Sequence, residues 1–244
     1  MKKASVVITL FNAENYILET LKSVKAQRNI SLGELEIVMV NDKSTDRGLQ
    51  LVKRFISNNP KLDIRLLDLP KNGGVSKARN IGAGYSTGKF ILHVDGDDLL
   101  HEDCVSEFSR IFMDPSIGFA YSDHAAVQPT TKCPVREDDI IYIKQKTGFD
   151  LKSFLEEKYN YVAHAKAVRK ELHLPFDPSL KYAEDSDWVI RTALEGINFG
   201  HIPKILYYWR RGVNSVSDRT SKEERDRFHN FVFNRGLKVF KYKK

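Results

Sequence analysis

The sequence predicts an α/β fold, with a Rossmann-like, mostly parallel sheet flanked by helices in a single domain. Three observations predict it. Strand-like and helix-like segments alternate four times within the first 115 of the 244 residues. The strand-like runs are continuously apolar and rich in β-branched residues, the pattern of strands buried on both faces. Helical stretches connect them, and parallel strands require such crossovers.

Ala4 to Phe11 is the first strand. Asn12 then stands where it can cap a helix, with Glu14 in the first turn and Ile17, Leu21 and Val24 on one apolar face. Leu35 to Val40 is the second strand. It runs into Asn41-Asp42-Lys43-Ser44-Thr45-Asp46, and a helix follows to about Ser57. Leu62 to Leu67 is the third strand, and Gly73-Gly74 precedes a helix over Val75 to Tyr85. Lys89 to Val94 is the fourth, ending in Asp95-Gly96-Asp97-Asp98. Beyond residue 115 the pattern is less regular. Phe119 to Val127 reads as a strand, residues 129–148 as a long charged loop, and Asp150 to Glu157 as a helix. A mixed stretch over Tyr161 to Arg169 precedes a helix from Glu184 to Glu195, a strand from Ile202 to Trp209 and a last helix from Ser221 to Phe240.

Composition narrows the function. With 41% hydrophobic and 29% charged residues, the chain is neither collagen-like, nor coiled coil, nor disordered. Cys104 and Cys133 lack paired zinc spacing and are too few for a disulfide framework, which suits a reducing cytoplasm. No apolar run reaches the roughly 18 residues of a spanning helix. Met1-Lys2-Lys3 and the apolar run after it resemble a short signal peptide, but no small-residue cleavage site follows, so a first strand is expected. The net charge is +7, and residues 221–244 hold eight basic and three acidic residues, so +5 of it sits in the tail. A nucleic-acid binder spreads a basic stripe over its body, so no nucleic-acid partner is expected. The tail also carries Phe228, Phe231, Val232, Leu237, Val239 and Phe240. It reads either as a membrane-surface helix or as a helix packed on the domain, with Gly236 interrupting a long amphipathic face.

In open parallel sheets, ligands bind beyond the carboxyl ends of the strands. Asp42 and the Asp95-Gly96-Asp97-Asp98 turn fall there. Three carboxylates in four residues repel one another unless a cation neutralises them, and oxygen ligands select a hard ion such as Mg²⁺ or Mn²⁺. The alternative is an acidic turn with Asp98 capping the next helix. In Asn72-Gly73-Gly74-Val75-Ser76-Lys77-Ala78-Arg79-Asn80, the glycines permit close backbone approach and Arg79 offers a planar donor fork. Arg79 is otherwise a structural partner of one of the carboxylates.

These segments occur in an order that resembles the family 2 glycosyltransferases of the GT-A fold. The motifs are Val6 to Asn12, Val40 to Asp46, Asn72 to Asn80 and Val94 to Asp98, continuing through Phe176-Asp177-Pro178-Ser179-Leu180, Glu184 to Arg191 and Tyr208-Trp209-Arg210-Arg211. The resemblance covers roughly residues 4–217. It implies that Thr9 and Phe11 line a nucleotide pocket and that Asp42 hydrogen-bonds the base, usually uracil. It further implies that Arg79 holds the nucleotide side, Asp95 faces the ribose and assists the metal, and Asp97 ligates Mn²⁺ or Mg²⁺. Asp185, with Glu184 beside it, is the implied catalytic base. Acids opening a helix are also ordinary caps, and an ionised Asp185 there is a weak base unless burial strengthens it. A base opposite the leaving group implies inversion at the anomeric carbon.

The expected enzyme is therefore a metal-dependent, inverting glycosyltransferase of cell-envelope polysaccharide type. Its donor would be a UDP-linked sugar and its acceptor a glycan or lipid-linked saccharide. Residues 1–115 would bind the nucleotide sugar, 116–220 the acceptor, and 221–244 would form a basic helical tail. The expected place is the cytoplasm, with the tail peripheral at the membrane's inner face. The alternative is an inactive sugar-nucleotide or glycan-binding module, while nucleotidyltransfer lacks its Gly-rich basic loop after the first strand. Asn41 and Lys43 depart from the family's usual Asp and Gly, and Gly212 stands where a His is frequent. Arg210 or Arg211 could bind the diphosphate instead, or form a solvated turn. His164 is placed either beside the acceptor or in a structural role. His93 is expected in the core, and Trp188 either stacks on a sugar or packs under its helix.

Overall fold

A computed structural model of the chain describes residues 2–144, 148–212 and 220–242. Strands β1 (Ala4–Leu10), β2 (Leu35–Asn41), β3 (Ile64–Asp68) and β4 (Phe90–Asp95) are all parallel, in the spatial order β3-β2-β1-β4. Helices α1 (Ile17–Lys25), α2 (Gly48–Asn58) and α3 (Val75–Tyr85) make the crossovers. After β5 (Leu99–Leu100) and α4 (Cys104–Ile111) come β6 (Phe119–Val127), β7 (Ile140–Lys144), α5 (Leu151–Glu157), β8 (Lys166–Arg169), α6 (Glu184–Leu194), β9 (Phe199–Arg210) and α7 (Lys222–Tyr242). The described strands form one sheet, β3-β2-β1-β4-β8-β6-β9-β5, with β7 on β6. β6 runs parallel to β9 but antiparallel to β7 and β8, so the second half of the sheet is mixed.

Alternation along the strands divides the core. Val6 and Ile8 of β1, Ile37 and Met39 of β2 and Leu92 and Val94 of β4 face α1, α2 and α4. Val7, Val38 and Ile91 face α3, and Phe119, Tyr121 and Val168 meet α5, α6 and α7 on their side. Each such large side chain withdrawn from water contributes about 1.5–3 kcal/mol. Glu36 is buried at the amino end of β2, where Ser5, the Thr87 hydroxyl and the Gly88 amide all donate to it. That carboxylate closes the sheet end opposite the candidate site.

Several sequence expectations need correction. Asn12 does not cap α1, which begins at Ile17 behind Tyr16. Asn12 instead adopts φ 52° and accepts from the Thr45 amide at 2.8 Å. Glu14 lies ahead of the helix and accepts from the Arg47 amide at 2.9 Å. The segment leaving β1 passes beside the loop leaving β2, and these side chains bond across that gap. In that second loop Lys43 adopts φ 61°, the left-handed conformation a glycine would take freely. Asn41 braces it, donating to Asp68 and accepting from Ser44.

The expected loop at 129–148 contains a 3₁₀ turn at Glu137–Asp139 and the edge strand β7. Residues 145–147 of it lie outside the described residues. Charged flanks hide the short apolar strand, and only its pairing with β6 reveals it. Gly236 does not break α7. A Cβ there would lie 2.7 Å from Ile190 Cγ2 and 2.8 Å from Leu155 Cδ2, so the glycine lets α7 close on α5 and α6. Val232 and Phe233 are buried against those helices, while Phe231, Val239 and Tyr242 stay exposed.

Candidate active site

The site is built where β1, β2 and β4 end. Asp42 is buried just past β2, and its two carboxylate oxygens accept from the amides of Gly73 (2.7 Å) and Gly74 (2.8 Å). Gly74 turns into α3 with φ 84°, a conformation that favours glycine. This anchorage sets the start of α3 and brings Arg79, one turn later, to the end of β4. Thr9 lies beside Asp95 in the β1–β4 register and is half-buried, while Phe11 is exposed at the same edge.

Arg79 is the hinge of the charge arrangement. Its side chain is only 9% exposed, with Nη2 at 2.8 Å from Asp95 Oδ1 and Nη1 at 2.8 Å from Glu184 Oε1. Its guanidinium also covers the Phe176 ring at 5.3 Å. Of the two expected roles of Arg79, the structural pairing is the one these contacts display, and it places the guanidinium at the strand ends. Burial is the strongest influence on the Asp95 carboxyl and pushes it up, but the charge and hydrogen bond of Arg79, with His164 and Lys166, together hold it below its ordinary value. Glu184 goes the other way, because burial exceeds the compensation Arg79 gives it.

The acidic turn packs hard against β1. A Cβ on Gly96 would stand 2.6 Å from the Thr9 carbonyl oxygen, so glycine is required there. Asp98 is buried and does not cap the next helix, which starts at Cys104 behind Asp103. It accepts instead from Tyr207 Oη (2.8 Å) and the Arg210 amide (2.9 Å), and Tyr207 Oη also receives the Asp95 amide. Burial and the neighbouring carboxylates push Asp98 well above its usual range. Asp97 is pushed up to about 6, by burial first and Asp95 second. The Arg210 guanidinium is spent on the carbonyls of Asp97 and Thr131 and covers the Tyr16 ring at 5.4 Å. Arg210 therefore braces the acidic turn and is not aimed at a diphosphate, while Arg211 is exposed.

This donor set fits a divalent cation. Ligand atoms of Asp95, Asp98 and His164 all lie within 4.8 Å of one another. Carboxylate oxygens with one imidazole suit Mn²⁺ or Mg²⁺, while Asp97, the expected ligand, lies outside this convergent set. Asp97 and Asp98 are raised by burial first and by their neighbouring carboxylates second.

Asp185 opens α6 beside this cluster. Its Oδ1 accepts from the Ser186 amide at 2.8 Å, and its Oδ2 accepts from Asn160 Nδ2 at 3.0 Å. Arg79, His93, Asp95, His164, Lys166 and Tyr207 line one small cleft. His93 is buried, as expected, and pairs Nε2 to Nε2 with His173 at 3.0 Å. Trp188 is fully buried against Phe176 and Phe119, so it packs and does not stack on a sugar. His164 stacks on Trp209 at 5.5 Å and on Tyr207 at 5.5 Å. Asn160, Lys166 and Tyr207 join the cluster although nothing in the sequence singles them out. Tyr207 lies next to the recognisable Tyr208-Trp209-Arg210 segment, which is the signal that could have found it.

The sequence profile described as glycosyl transferase family 2 matches residues 5–173. The poly(ribitol-phosphate) β-N-acetylglucosaminyltransferase TarS of Staphylococcus aureus (strain MW2) is 36% identical over 92% of the chain and 39% of its own length. The crystal structure of S. aureus TarS 1–349 in complex with UDP-GlcNAc superposes with a TM-score of 0.76 at 22% identity, over 94% of this chain and 65% of that one. The mannosyltransferase PcManGT from Pyrobaculum calidifontis, in complex with GDP-Man and Mn²⁺, gives a TM-score of 0.65 at 16% identity, over 97% and 73%. These structures share the GT-A fold. The chain spans between 20% and 65% of the length of curated relatives it matches.

Proposed function

Because the chain belongs to glycosyl transferase family 2, we propose that it is a metal-dependent, inverting transferase using a UDP-linked sugar donor and a glycan or lipid-linked saccharide acceptor. The observation that carries this reading is that one buried arginine joins two carboxylate stations. Asp95 and Asp97 follow β4, and Asp185 opens α6, with Arg79 and Glu184 between them. The named product of TarS is β-linked, the configuration inversion yields from an α-linked donor. The donor half is residues 1–115, with Thr9, Phe11 and Asp42 around the nucleoside, and the acceptor half is residues 116–220.

Asp95, Asp98 and His164, whose ligand atoms converge, would hold Mn²⁺ or Mg²⁺, with Asp97, which lies outside that cluster but in the same turn, as the further ligand the family resemblance implies. When bound, the ion offsets charge on the departing diphosphate. Arg79 keeps Asp95 ionised and oriented for the donor. Asp185 accepts the proton of the acceptor hydroxyl as that oxygen attacks the anomeric carbon. The bond to the diphosphate oxygen breaks on the opposite face, and its electron pair leaves with the nucleotide. Buried Tyr207 and Arg210 keep the acidic turn in place during this exchange.

The exposed, basic outer side of α7, with Lys238, Lys241, Phe231 and Tyr242, is the surface that would meet an anionic membrane carrying a lipid-linked acceptor. No described helix is long and apolar enough to cross a membrane. The test is UDP release from a panel of UDP-sugars with saccharide acceptors and Mn²⁺. Asp185→Asn should lower turnover by about 10²–10⁴-fold, to a residual rate that single-turnover assays still read, while leaving UDP binding intact. Binding without turnover in the wild type, across donors and acceptors, would favour the glycan-binding module.

A further inference from the structure

Lys166 is a buried cation that the family motifs do not account for. It begins β8, its side chain is 6% exposed, and its Nζ lies 3.5 Å from Asp185 Oδ2. The Ala163 carbonyl receives a second contact from the same ammonium. An ammonium this buried has lost most of its hydration, and such a charge persists only where carboxylates compensate it. Asp185, Asp95 and Glu184 supply that compensation, Arg79 opposes it, and burial lowers the lysine's hold on its proton.

The contacts of Asp185 are unequal. Oδ2 carries the Asn160 amide and the adjacent Lys166 ammonium, whereas Oδ1 carries one backbone N–H, from Ser186. A carboxylate accepts about four hydrogen bonds. The plane of the group is therefore fixed from the β8 side, and Oδ1 has room for an acceptor hydroxyl. Resting on the reading of Asp185 as base, we propose that Lys166 is a positioning residue for the transfer step. It holds the Asp185 carboxylate in the orientation that receives the acceptor proton.

The experiment compares wild type, Lys166→Met, Asp185→Asn and the double variant in UDP-sugar turnover with Mn²⁺, alongside UDP affinity. Lys166→Gln, which can still donate to Ala163, replaces the Met variant if that fails to fold. Misplacing a catalytic group by about 1 Å costs on the order of 10²-fold. The expected result is a kcat loss of about that size with donor KM and UDP affinity unchanged, and no further loss from the lysine change once Asp185 is Asn. A loss of equal size in the Asp185→Asn background overturns the proposal, because the lysine then acts elsewhere. So does UDP affinity falling in step with activity, which would put the ammonium on the diphosphate. Wild-type turnover with an unaffected Lys166→Met sinks this inference alone. Absence of wild-type UDP release, with water or saccharide as acceptor, sinks the transferase reading and this inference together.

Discussion

Replacing Arg79 by Met removes one cation from between two carboxylates. Both partners sit at 2.8 Å, with Glu184 15% and Asp95 34% exposed at the side chain. Removing one member of a buried pair typically costs 3–5 kcal/mol, because the other is left desolvated and uncompensated. Asp95 is wet enough to recover part of this through solvent, so about 3–4 kcal/mol is expected. For a chain of this length that lowers Tm by about 6–16 °C. The sign with pH follows from the same pairs. Without Arg79, both carboxyls are raised above their unfolded values, so the deficit grows as pH rises and shrinks in acid. Glu184→Gln should restore about 1–2 kcal/mol in the Arg79→Met background, since it deletes one of the stranded charges. Urea denaturation of the four chains at two pH values measures each term. A deficit below about 1 kcal/mol, or one that Glu184→Gln leaves untouched, would refute the view that Arg79 neutralises a buried acidic pair.

Three further outcomes are expected. Gly236→Ala gains about 1 kcal/mol in an open helix, yet here the added methyl meets Ile190 and Leu155, so a net loss of about 1–3 kcal/mol is expected by denaturation. A gain would mean that α7 is not seated on α5 and α6. Burial pulls the His173 imidazole down to about 4, so its contribution is complete above pH 6.5 and disappears as pH falls toward 4. The stability advantage of wild type over His173→Gln should therefore shrink by about 2 kcal/mol across that window, and parallel curves would exclude the assignment. Lys238→Glu with Lys241→Glu should weaken sedimentation with anionic vesicles by more than tenfold, at about 1 kcal/mol per charge. Equal binding would remove the membrane surface from the proposal.

Much of the regular structure was legible because its signals are local. Gly73-Gly74 marks the start of α3, whose span Val75–Tyr85 is the one expected, and β6 is likewise Phe119–Val127 as read. The acidic turn announces itself by charge density. What escaped depends on contacts between distant residues. β5 has only two residues and exists through its pairing with Tyr207 and Tyr208 of β9. Asn12 looks like a cap, yet its hydrogen-bond partner is 33 positions away. Lys166 lies in a stretch with no clean period, and its meaning appears only when α6 brings Asp185 within 3.5 Å. Gly236 reads as a break by propensity and proves to be a packing contact, because tertiary approach decides where a glycine serves.

The central claim is a cation-dependent nucleotide site at the ends of β1, β2 and β4. Thermal shift with UDP, GDP and UDP-sugars, with and without Mn²⁺, on wild type, Asp97→Asn and Asp185→Asn tests it directly. A ligand at 100 times its Kd adds about 2.7 kcal/mol, or roughly 5–10 °C for a chain of this size. A Mn²⁺-dependent rise with UDP species is expected in wild type and Asp185→Asn and is lost in Asp97→Asn. A shift that ignores Mn²⁺ or survives Asp97→Asn, or no shift with any nucleotide, would contradict it.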